Sequence, residues 1–450
     1  MTTFLLALAG RAVSLAGSKL AVFGLGVWLY RRTGSATVYG LATLAMFAPR
    51  PLLGPAAGLL VDRWGGRAAM AAGHACAGVC SVALAALFAA GALGPASALA
   101  LLTLVFCFDT VEYPAFSALT ARLVPPARLE RATALTNVAL GLTQVAAPAA
   151  AGALLELAGL GPILAFDAAS FVLAALVLIA LRLPKAAASG GADRARPSQA
   201  PAPAAAPMPS NGPAGEAEAP RPRALSAPGG GAGAGWRYVR AERGLASLLL
   251  LLAVASFNLT AVQVLLGPLV LGFAGARELG VVQSAAGVGF VVGGVASLTW
   301  RGPRQKVDGV LGALLAQGLV LLLAAAPPSL PLACAAAFGA AMTMPVVGSL
   351  SEAIWLRRVP SALQGRVAAA RDTTQATAML AASASAGPAL DRLLEPLMAP
   401  GGALAPWLGP LIGVGPGRGA ALAIAAVGAS TAACALLGFA SASLRGAAAD

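Results

Sequence analysis

Long apolar runs separated by short polar segments form the pattern of this 450-residue chain. A helix needs about 20 predominantly apolar residues to cross a bilayer, and twelve stretches of the chain meet that requirement. The predicted spans cover residues 4–30, 36–61, 68–90, 96–121, 132–157, 162–181, 245–273, 279–300, 307–326, 330–356, 367–390 and 419–440. The pattern predicts an all-α integral membrane protein with twelve transmembrane helices.

The segment between the sixth and seventh predicted spans differs in composition. Residues 184–235 are rich in Ala, Pro, Gly and Ser and contain almost no large apolar residue, so this segment cannot bury enough surface to fold. We therefore predict three parts: a six-helix bundle over residues 1–182, a disordered cytoplasmic linker over 183–240, and a second six-helix bundle over 241–450. GWRYVR, at 235–240, is typical of an interfacial anchor before the seventh span.

An internal repeat relates the two bundles. At an offset of 235 residues, RLVPPARLERATA (122–134) aligns with RRVPSALQGRVAA (357–369), with six identities in thirteen positions. Among them are Pro125 with Pro360 and Arg131 with Arg366, in the segment that follows the fourth span of each bundle. Parallel repeats of six spans are typical of secondary transporters.

Composition and charge agree with a chain whose main solvent is the bilayer. Hydrophobic residues make up 58% and charged residues 10%, and the mean hydropathy is +0.82, values far from those of soluble proteins. The net charge of +13 is spread over short clusters between spans, which argues against a nucleic-acid-binding face. With both termini in the cytoplasm, 22 of the 30 lysines and arginines lie in cytoplasmic segments, in agreement with the positive-inside rule.

A charged signature follows the second span. The segment is GPAAGLLVDRWGGR, at residues 54–67. From Gly58 onward it has glycine, three residues, aspartate, arginine, any residue and glycine, followed after Gly66 by a basic residue. The matching positions are Gly58, Leu60, Asp62, Arg63, Gly65 and Arg67. This pattern resembles the loop signature of the major facilitator superfamily, but Gly66 stands where that family usually has an arginine. At the equivalent positions of the second bundle, Gly293 corresponds to Gly58 and Ser297 corresponds to Asp62. The second bundle therefore keeps the glycine of the signature but lacks its aspartate.

The resemblance implies a gating role for these residues. Gly58 would allow close helix approach near the membrane surface, and Asp62 can cap a neighbouring helix terminus or pair with an arginine. Contacts of this kind would hold one face of the protein closed until a conformational change breaks them. In the alternative interpretation, Asp62 and Arg63 only shorten and orient a loop.

Residues 14–63 resemble the branch of this superfamily that contains enterobactin exporters and macrolide efflux proteins. The segments 363–375 and 387–422 are similar to exporters that accompany siderophore and nonribosomal peptide biosynthesis. The resemblance implies a monomeric bacterial inner-membrane exporter that moves an amphipathic small molecule in exchange for protons, with lipid as its surroundings and no cofactor. Broad drug or macrolide efflux is the alternative within transporters, and a membrane scaffold or transport-dead assembly factor is the alternative outside them.

Ionisable residues at membrane depth indicate where protons could be carried, because each costs about 2.5–3.5 kcal/mol on insertion scales. Asp109 and Glu112 in the fourth span are three residues apart and therefore share a helical face. Two neighbouring carboxylates cannot both ionise cheaply, so we expect one of them to exchange a proton during transport. Arg11 and Arg50 are the expected partners. The alternative is a permanent ion pair that only positions helices.

The remaining polar residues point to no enzyme chemistry. His74 is the only histidine, and the five cysteines all fall in predicted spans without the spacing of a zinc or disulfide framework. No phosphate-binding loop of the Walker type occurs. We expect Asp167, Glu352 and Asp372 to be helix-end or gating partners. Polar contributors to a substrate cavity would come from Gln144, Asn258, Gln263 and Gln283.

Overall fold

The computed structural model of the chain describes residues 1–180, 233–300 and 302–441. Every regular element in these ranges is a helix, as the apolar pattern predicts. The first bundle contains α1 (Thr2–Thr33), α2 (Ala36–Phe47), α3 (Pro49–Trp64), α4 (Gly66–Ala89), α5 (Pro95–Asp109), α6 (Glu112–Leu123), α7 (Leu129–Ala158) and α8 (Leu160–Ala180). The second contains α9 (Ala234–Ala241), α10 (Arg243–Leu271), α11 (Ala276–Thr299), α12 (Lys306–Ala324), α13 (Leu330–Arg358), α14 (Gln364–Ala389), α15 (Glu395–Met398), α16 (Ala405–Ile412) and α17 (Arg418–Ala440).

Eleven helical segments in the described ranges are long and apolar enough to cross a membrane. Two of them are helix pairs, α2 with α3 and α5 with α6. The predicted span at 367–390 corresponds to α14, whose 26 residues extend about 39 Å at 1.5 Å per residue but include Thr, Ser, Gln and Arg. α14 packs against α2 and α10, and the exposed hydroxyls of Thr373, Thr377 and Ser385 donate to backbone carbonyls one turn earlier in the helix.

The end of the predicted linker is helical rather than disordered. α9 packs against α10 and α14, and a Cβ at Gly235 would overlap the backbone of Arg366, so the glycine permits this approach. The Tyr238 hydroxyl donates to the Arg358 carbonyl at 2.9 Å, and Trp236 packs against the core of the second bundle. The predicted linker, drawn to residue 240, is therefore too long at this end. Residues 183–232 of it lie outside the described ranges.

The internal repeat is also a repeat of local structure. Val124 follows the last residue of α6 and Val359 follows the last residue of α13. Both valines have extended backbone, and each is followed by a proline with φ near −60°. A single 3₁₀ turn comes next in both bundles, at Pro126–Arg128 and at Ser361–Leu363, and then a long helix begins. The same offset of 235 residues relates all these boundaries, so similar sequence gives the same turn in both bundles.

Prolines break the second and fourth spans near their middles. Pro114 lacks the N–H that would bond the carbonyl of Thr110, and the fourth span is interrupted there, with α5 ending at Asp109 and α6 beginning at Glu112. In the second span, α2 ends at Phe47 and α3 begins at Pro49. The backbone keeps α-helical dihedral angles at both breaks, at Ala48 and at Thr110 and Val111. The prolines therefore interrupt the hydrogen bonding of the helix, close to the charged residues at membrane depth.

The bundles meet closely at one end only. We call the end that holds Arg63, Arg122, Arg304 and Arg357 the basic end, and the other the opposite end. Toward the opposite end, α7 packs on α11 and α2 packs on α14. A Cβ at Gly287 would lie 2.6 Å from the Gln144 carbonyl oxygen, and one at Gly387 would lie 2.7 Å from that of Ala36. Glycines therefore allow backbone-to-backbone contact between the bundles.

The basic end lacks comparable contacts in the part of the chain that the structure describes. α3 packs on α4, α5 and α6 of its own bundle. Gly58 does not make the close approach predicted for it, because a Cβ there would meet nothing within 4 Å. Within the second bundle, Gly289 and Gly293 form a small-residue face of α11 that lies directly against the α13 backbone at Phe338 and Met342. The structure is thus closed at the opposite end and open at the basic end.

Gly66, the departure from the family signature, has a packing role. It begins α4, and a Cβ there would lie 2.5 Å from the Ala115 carbonyl oxygen and 3.0 Å from the Leu119 nitrogen of α6. Any side chain would force these two helices apart. The missing arginine therefore reflects close packing between the third and fourth spans.

We predict that Gly66→Ala lowers the stability of the purified protein by about 1–3 kcal/mol, the usual cost of overpacking. Gly54→Ala is the matched control, because its Cβ would meet nothing within 4 Å and alanine favours a helix by roughly 0.5–1 kcal/mol. The measurement is thermal unfolding of both variants in the same detergent. Equal unfolding temperatures for the two variants would contradict the packing role of Gly66.

Candidate functional site

A buried ion pair between the first and fourth spans lies at the centre of the charged site. Arg11 Nε of α1 donates to Glu112 Oε1 at 3.0 Å, and both residues are buried. The guanidinium also lies over the Phe116 ring, 4.4 Å from its centroid. Pairing offsets the large cost of burying either charge alone. The structure thus joins two of the four residues predicted for proton coupling.

Asp109 and Arg50, the other two predicted residues, lie beside this pair without joining it. The Asp109 side chain is partly exposed and within hydrogen-bonding reach of the Glu112 carboxyl group. Arg50 lies over Tyr113, with 5.6 Å between its guanidinium carbon and the ring centroid, and its charge acts on Asp109. Two carboxyl groups this close favour a state in which one of them holds a proton.

Lys19 and His74 complete the charged and titratable surroundings. Lys19 lies about two turns after Arg11 on α1, and the charges of Arg50 and Asp109 act on it. His74 of α4 is buried against Phe171, with ring centroids 5.8 Å apart, and is close enough to Glu112 to feel its charge. Its Nε2 has no hydrogen-bond partner in the described part of the chain. His74 is therefore a packed residue at the edge of the site.

Asp167 forms a separate buried node on the other side of α1. Ser18 Oγ donates to its Oδ1 at 3.3 Å, and Ser81 Oγ donates to its Oδ2. Gly17 lies against the same group, since a Cβ there would be 3.2 Å from Asp167 Oδ1. Asp167 thus links α8 to α1 and α4 inside the first bundle, rather than acting at a helix end as the sequence predicted.

A small open pocket with room for about one water molecule lies in front of the Arg11 face of α1. Its lining residues come from α1 and α7, and they are Leu8, Arg11, Ala12, Leu15, Thr136, Ala139 and Leu140. Of the polar residues predicted for a substrate cavity, Asn258 instead donates to Ser430 and Thr431 inside the second bundle. Gln283 lies within hydrogen-bonding reach of Tyr39 at the bundle interface. Gln144 and Gln263 have exposed side chains.

The signature residues after the second span lie at the open basic end. Asp62 and Arg63 form the last turn of α3 rather than a loop, and Gly65, with φ 80°, makes the whole connection to α4. A left-handed φ of this kind favours glycine. Both charged side chains are exposed, and neither makes a hydrogen bond or ion pair within the described residues. The capping predicted for Asp62 does not occur in this conformation.

A carboxylate that the sequence did not predict fastens the opposite end. Asp391 follows α14 and accepts four hydrogen bonds from the first residues of α2: Ser35 Oγ at 2.6 Å, Ala36 N at 2.8 Å, Thr37 N at 2.8 Å and Thr37 Oγ1 at 2.6 Å. Burial acts to raise the pKa of Asp391, but these hydrogen bonds outweigh it and hold the pKa below its ordinary value. We call this contact between the bundles the Asp391 clasp.

Elsewhere in the second bundle, charged residues pair locally. Arg371 Nη2 donates to Glu352 Oε2 at 2.7 Å, and the guanidinium lies over Trp355, 5.0 Å from the ring centroid. Both carboxylate and arginine lie near the basic end, as predicted for Glu352. No group of three or more His, Cys, Asp or Glu side chains in the described ranges could hold a metal ion.

Sequence comparison connects the chain with transporters. The family model of the Major Facilitator Superfamily matches residues 7–383. Macrolide efflux protein A of Streptococcus pyogenes is 28% identical over 177 residues, which are 39% of this chain and 44% of that protein. The protein of the same name from Streptococcus pyogenes serotype M6 matches equally well. The match therefore spans less than half the length of these relatives.

Solved transporter structures share the fold. The nucleoside transporter NupG superposes with a TM-score of 0.65 at 11% identity, covering 98% of this chain and 99% of that chain. A bacterial homologue of the iron transporter ferroportin, in an inward-facing state, gives a TM-score of 0.59 at 14% identity and covers 97% and 98%. A bacterial homologue of the human lysosomal transporter Spinster, also inward-facing, gives 0.55 at 18% identity and covers 99% and 95%. At these identities the similarity concerns the fold alone.

The family match extends over most of the helices described above, and it includes the signature at 58–67 and the charged site of the first bundle. Apolar helices, a repeated architecture and a charged site at membrane depth agree with it. The chain belongs to the Major Facilitator Superfamily and is a multi-pass membrane transporter rather than an enzyme.

Proposed function

We propose that this transporter exports an amphipathic secondary metabolite of the siderophore or nonribosomal peptide type, driven by inward proton flow. The observation that carries the proposal is the group of charges at membrane depth around the Arg11–Glu112 pair, beside a pocket in a protein open at one end. Charges in this position are costly and by default mark a pathway for ions or substrate. The protein is proposed to act as a monomer.

The excess of lysine and arginine supports an orientation with the basic end in the cytoplasm of a bacterium, where both termini would also lie. In that orientation the structure is open to the cytoplasm and closed to the outside. A metabolite made inside the cell would then enter from the basic end. Rocking of one bundle against the other would open the opposite end and release it.

The carboxyl pair supports proton coupling. Glu112 is held by Arg11, whereas Asp109 has no direct ion pair within the described residues and is partly exposed. Asp109 is therefore the group proposed to take a proton from the outside and release it to the cytoplasm. One proton moved through 100 mV supplies about 2.3 kcal/mol, enough for roughly a 50-fold concentration ratio of an uncharged substrate.

Two features of the bundle interface support alternating access. The Asp391 clasp fastens the opposite end in this conformation, and the signature residues Gly58, Asp62, Arg63, Gly65 and Arg67 stand at the open basic end. We propose that the signature residues meet the second bundle when the basic end closes. The clasp must break as that happens.

Efflux of macrolides or a broad range of drugs is the second candidate function. It is favoured by the 28% identity with macrolide efflux protein A over 177 residues. The same coupling site would serve either substrate class, so the two candidates differ in cargo and not in mechanism. A resistance profile of cells that lack the protein separates them.

We predict that Asp109→Asn/Glu112→Gln abolishes export, because neither side chain can then exchange a proton. The measurement is mass spectrometry of cell pellets and medium from wild-type cells, a deletion strain, and deletion strains complemented with either form. One compound should accumulate in the pellets of the deletion strain. Wild type should restore its secretion, and the double variant should restore less than about 1%, the loss expected for a missing proton carrier.

The matched control is Asp308→Asn/Glu130→Gln, two carboxylates in the first turns of α12 and α7 at the basic end. This control should secrete the compound as wild type does, at equal expression. Full rescue by Asp109→Asn/Glu112→Gln would show that the two carboxylates are structural. If no compound shifts while drug sensitivity rises, the drug-efflux candidate replaces the metabolite exporter.

We predict that Asp391→Asn opens the opposite end, because an amide lacks the charge that four donors share. Hydrogen bonds to charged groups contribute about 1.5–3 kcal/mol each, and partial exposure reduces their sum, so closure should weaken by about 1–3 kcal/mol. The measurement is the distance between spin labels at Ala90 and Ser329, which lie at the opposite end of the two bundles, in a cysteine-free background. A longer distance should become populated in the variant.

The pH dependence of the clasp follows from the lowered pKa of Asp391. Its contribution to closure is present above the ordinary aspartate value of about 3.9 and is lost as pH falls through the lower value of the closed state. The short label distance should therefore persist in wild type from neutral pH to about pH 4. Asp308→Asn, at the basic end, serves as control, and an unchanged distance distribution in Asp391→Asn would contradict the clasp.

A further inference from the structure

The connection between the last two spans differs from the others at the opposite end. In the described ranges, the other five connections at this end have no more than five residues, whereas residues 390–417 separate α14 from α17. Residues 396–417, which we call the apolar connection, contain no charged side chain. Apart from the indole of Trp407, no side chain in this range donates a hydrogen bond. Connections that run through water are usually polar, so this composition indicates other surroundings.

The helix α16 within the apolar connection is apolar on every side. Ile412 is buried, and Leu408 packs beside it in an apolar core. On the other side, Trp407 is 79% exposed and Leu411, one turn later, is 69% exposed. Val414, just beyond the helix, is 47% exposed. A helix that is apolar all round is normally buried in a protein core or in a membrane, and here the protein covers only one side of it.

Backbone hydrogen bonds fold the apolar connection onto itself. The Leu404 nitrogen donates to the Leu397 carbonyl at 3.1 Å, and the Gly415 nitrogen donates to the Met398 carbonyl at 3.2 Å. The segments before and after α16 are thus tied to the end of α15. The exposure of Trp407 belongs to an ordered segment.

Two charged residues fasten the apolar connection at its ends. Glu395 Oε1 accepts a hydrogen bond from the Gly417 nitrogen at 2.6 Å. The buried Arg418 donates from Nη1 to the carbonyl of Ile412, the last residue of α16, at 3.1 Å, where a helix leaves its carbonyls without a helical partner. A segment that lies in a bilayer must satisfy its backbone polar groups within the protein. These contacts meet that condition at both ends of the segment.

The lipid bilayer fits the exposed side of α16 better than a second copy of this chain does. α16 packs on α17, which is long and apolar enough to cross a membrane, so its exposed side continues the surface that the spans present to lipid. A stable interface between two proteins takes about 20–30 residues a side, whereas only a few apolar side chains stand out here. Tryptophan is enriched where a bilayer meets water.

We propose that the apolar connection lies in the bilayer leaflet at the opposite end, with α16 at the boundary between lipid headgroups and acyl chains. Trp407, Leu411 and Val414 enter this boundary to a depth of about 5–10 Å. Removal of their apolar surface from water drives the insertion, while Glu395 and Arg418 hold the segment to the second bundle. The inference is independent of the proposed cargo and of proton coupling.

The test measures how deeply α16 lies in a bilayer, with the full-length protein in nanodiscs that hold one copy each. A spin label at Leu411, in a cysteine-free background, is exposed in turn to oxygen, which concentrates in lipid, and to a nickel chelate, which stays in water. Leu173 of the spanning helix α8 and Ser329 of a short connection at the same end, both exposed, carry the reference labels. The label at Leu411 is expected about 5–10 Å within the bilayer boundary, deeper than Ser329 and shallower than Leu173.

Intrinsic fluorescence gives a second readout, without a label that could itself enter lipid. Lipids with brominated acyl chains quench the tryptophans that they contact. Trp407→Phe is expected to lower the fraction of the fluorescence that these lipids quench. Trp355→Phe is the matched control, because Trp355 is buried in the core of the second bundle, and the loss of an unquenched tryptophan should raise the same fraction.

Access of the nickel chelate to the Leu411 label equal to its access at Ser329 would overturn the proposal, and so would an unchanged quenched fraction in Trp407→Phe. A second copy of the chain is the other possible cover for α16. In densely loaded proteoliposomes, magnetic broadening between Leu411 labels on two copies, together with poor access of both oxygen and nickel, would show that cover and would also overturn the proposal.

Discussion

The cost of placing charge in an apolar medium governs the site of this transporter. In the first bundle, Arg11 and Glu112 meet that cost by pairing at 3.0 Å. The pair fixes α1 against α6 and thereby positions Asp109, which lies just before α6, beside a carboxyl group that is already committed to an arginine. Asp109 is therefore the group that we propose exchanges a proton. Arg50 lies nearby, over the ring of Tyr113.

Helix breaks and close helix contacts place these charges. Pro114 interrupts the fourth span between Asp109 and Glu112, and the break in the second span precedes Arg50. Glycines let the two bundles touch backbone to backbone, and the Asp391 clasp completes their contact at the opposite end. The charged site therefore lies inside a protein that is fastened on one side and open on the other. This is the arrangement that alternating access requires of one of its states.

Much of the fold follows from local sequence. Apolar runs predict the helices, because a spanning helix must satisfy its own backbone and present apolar side chains to lipid, and the repeat at 122–134 and 357–369 predicts a turn that the structure forms twice. The membership in the Major Facilitator Superfamily predicted from the signature is confirmed. The helix α9 was missed because its aromatic residues are buried only by tertiary contact with α10 and α14.

Less of the candidate site than of the fold could be predicted from the sequence. Depth in a span singled out Arg11, Arg50, Asp109 and Glu112. The structure joins Arg11 to Glu112 in an ion pair, whereas Arg50 and Asp109 lie beside that pair, and the proton-coupling role of the four residues stays a prediction. The Asp391 clasp joins residues more than 350 positions apart, a distance over which a single sequence carries no pairing information. The role of Gly66 was hidden for the same reason, because its contact with Ala115 depends on how two helices pack.

The measurement that tests proton exchange most directly is proton movement through the purified transporter. A pH-sensitive dye trapped inside proteoliposomes would report the lumenal pH when the compound that deletion cells retain is added outside. The account predicts that protons and compound move across the membrane in opposite directions. It also predicts that an imposed pH gradient alone drives the compound against its concentration gradient. Movement of the compound with no change in lumenal pH, at zero membrane potential, would contradict the central claim.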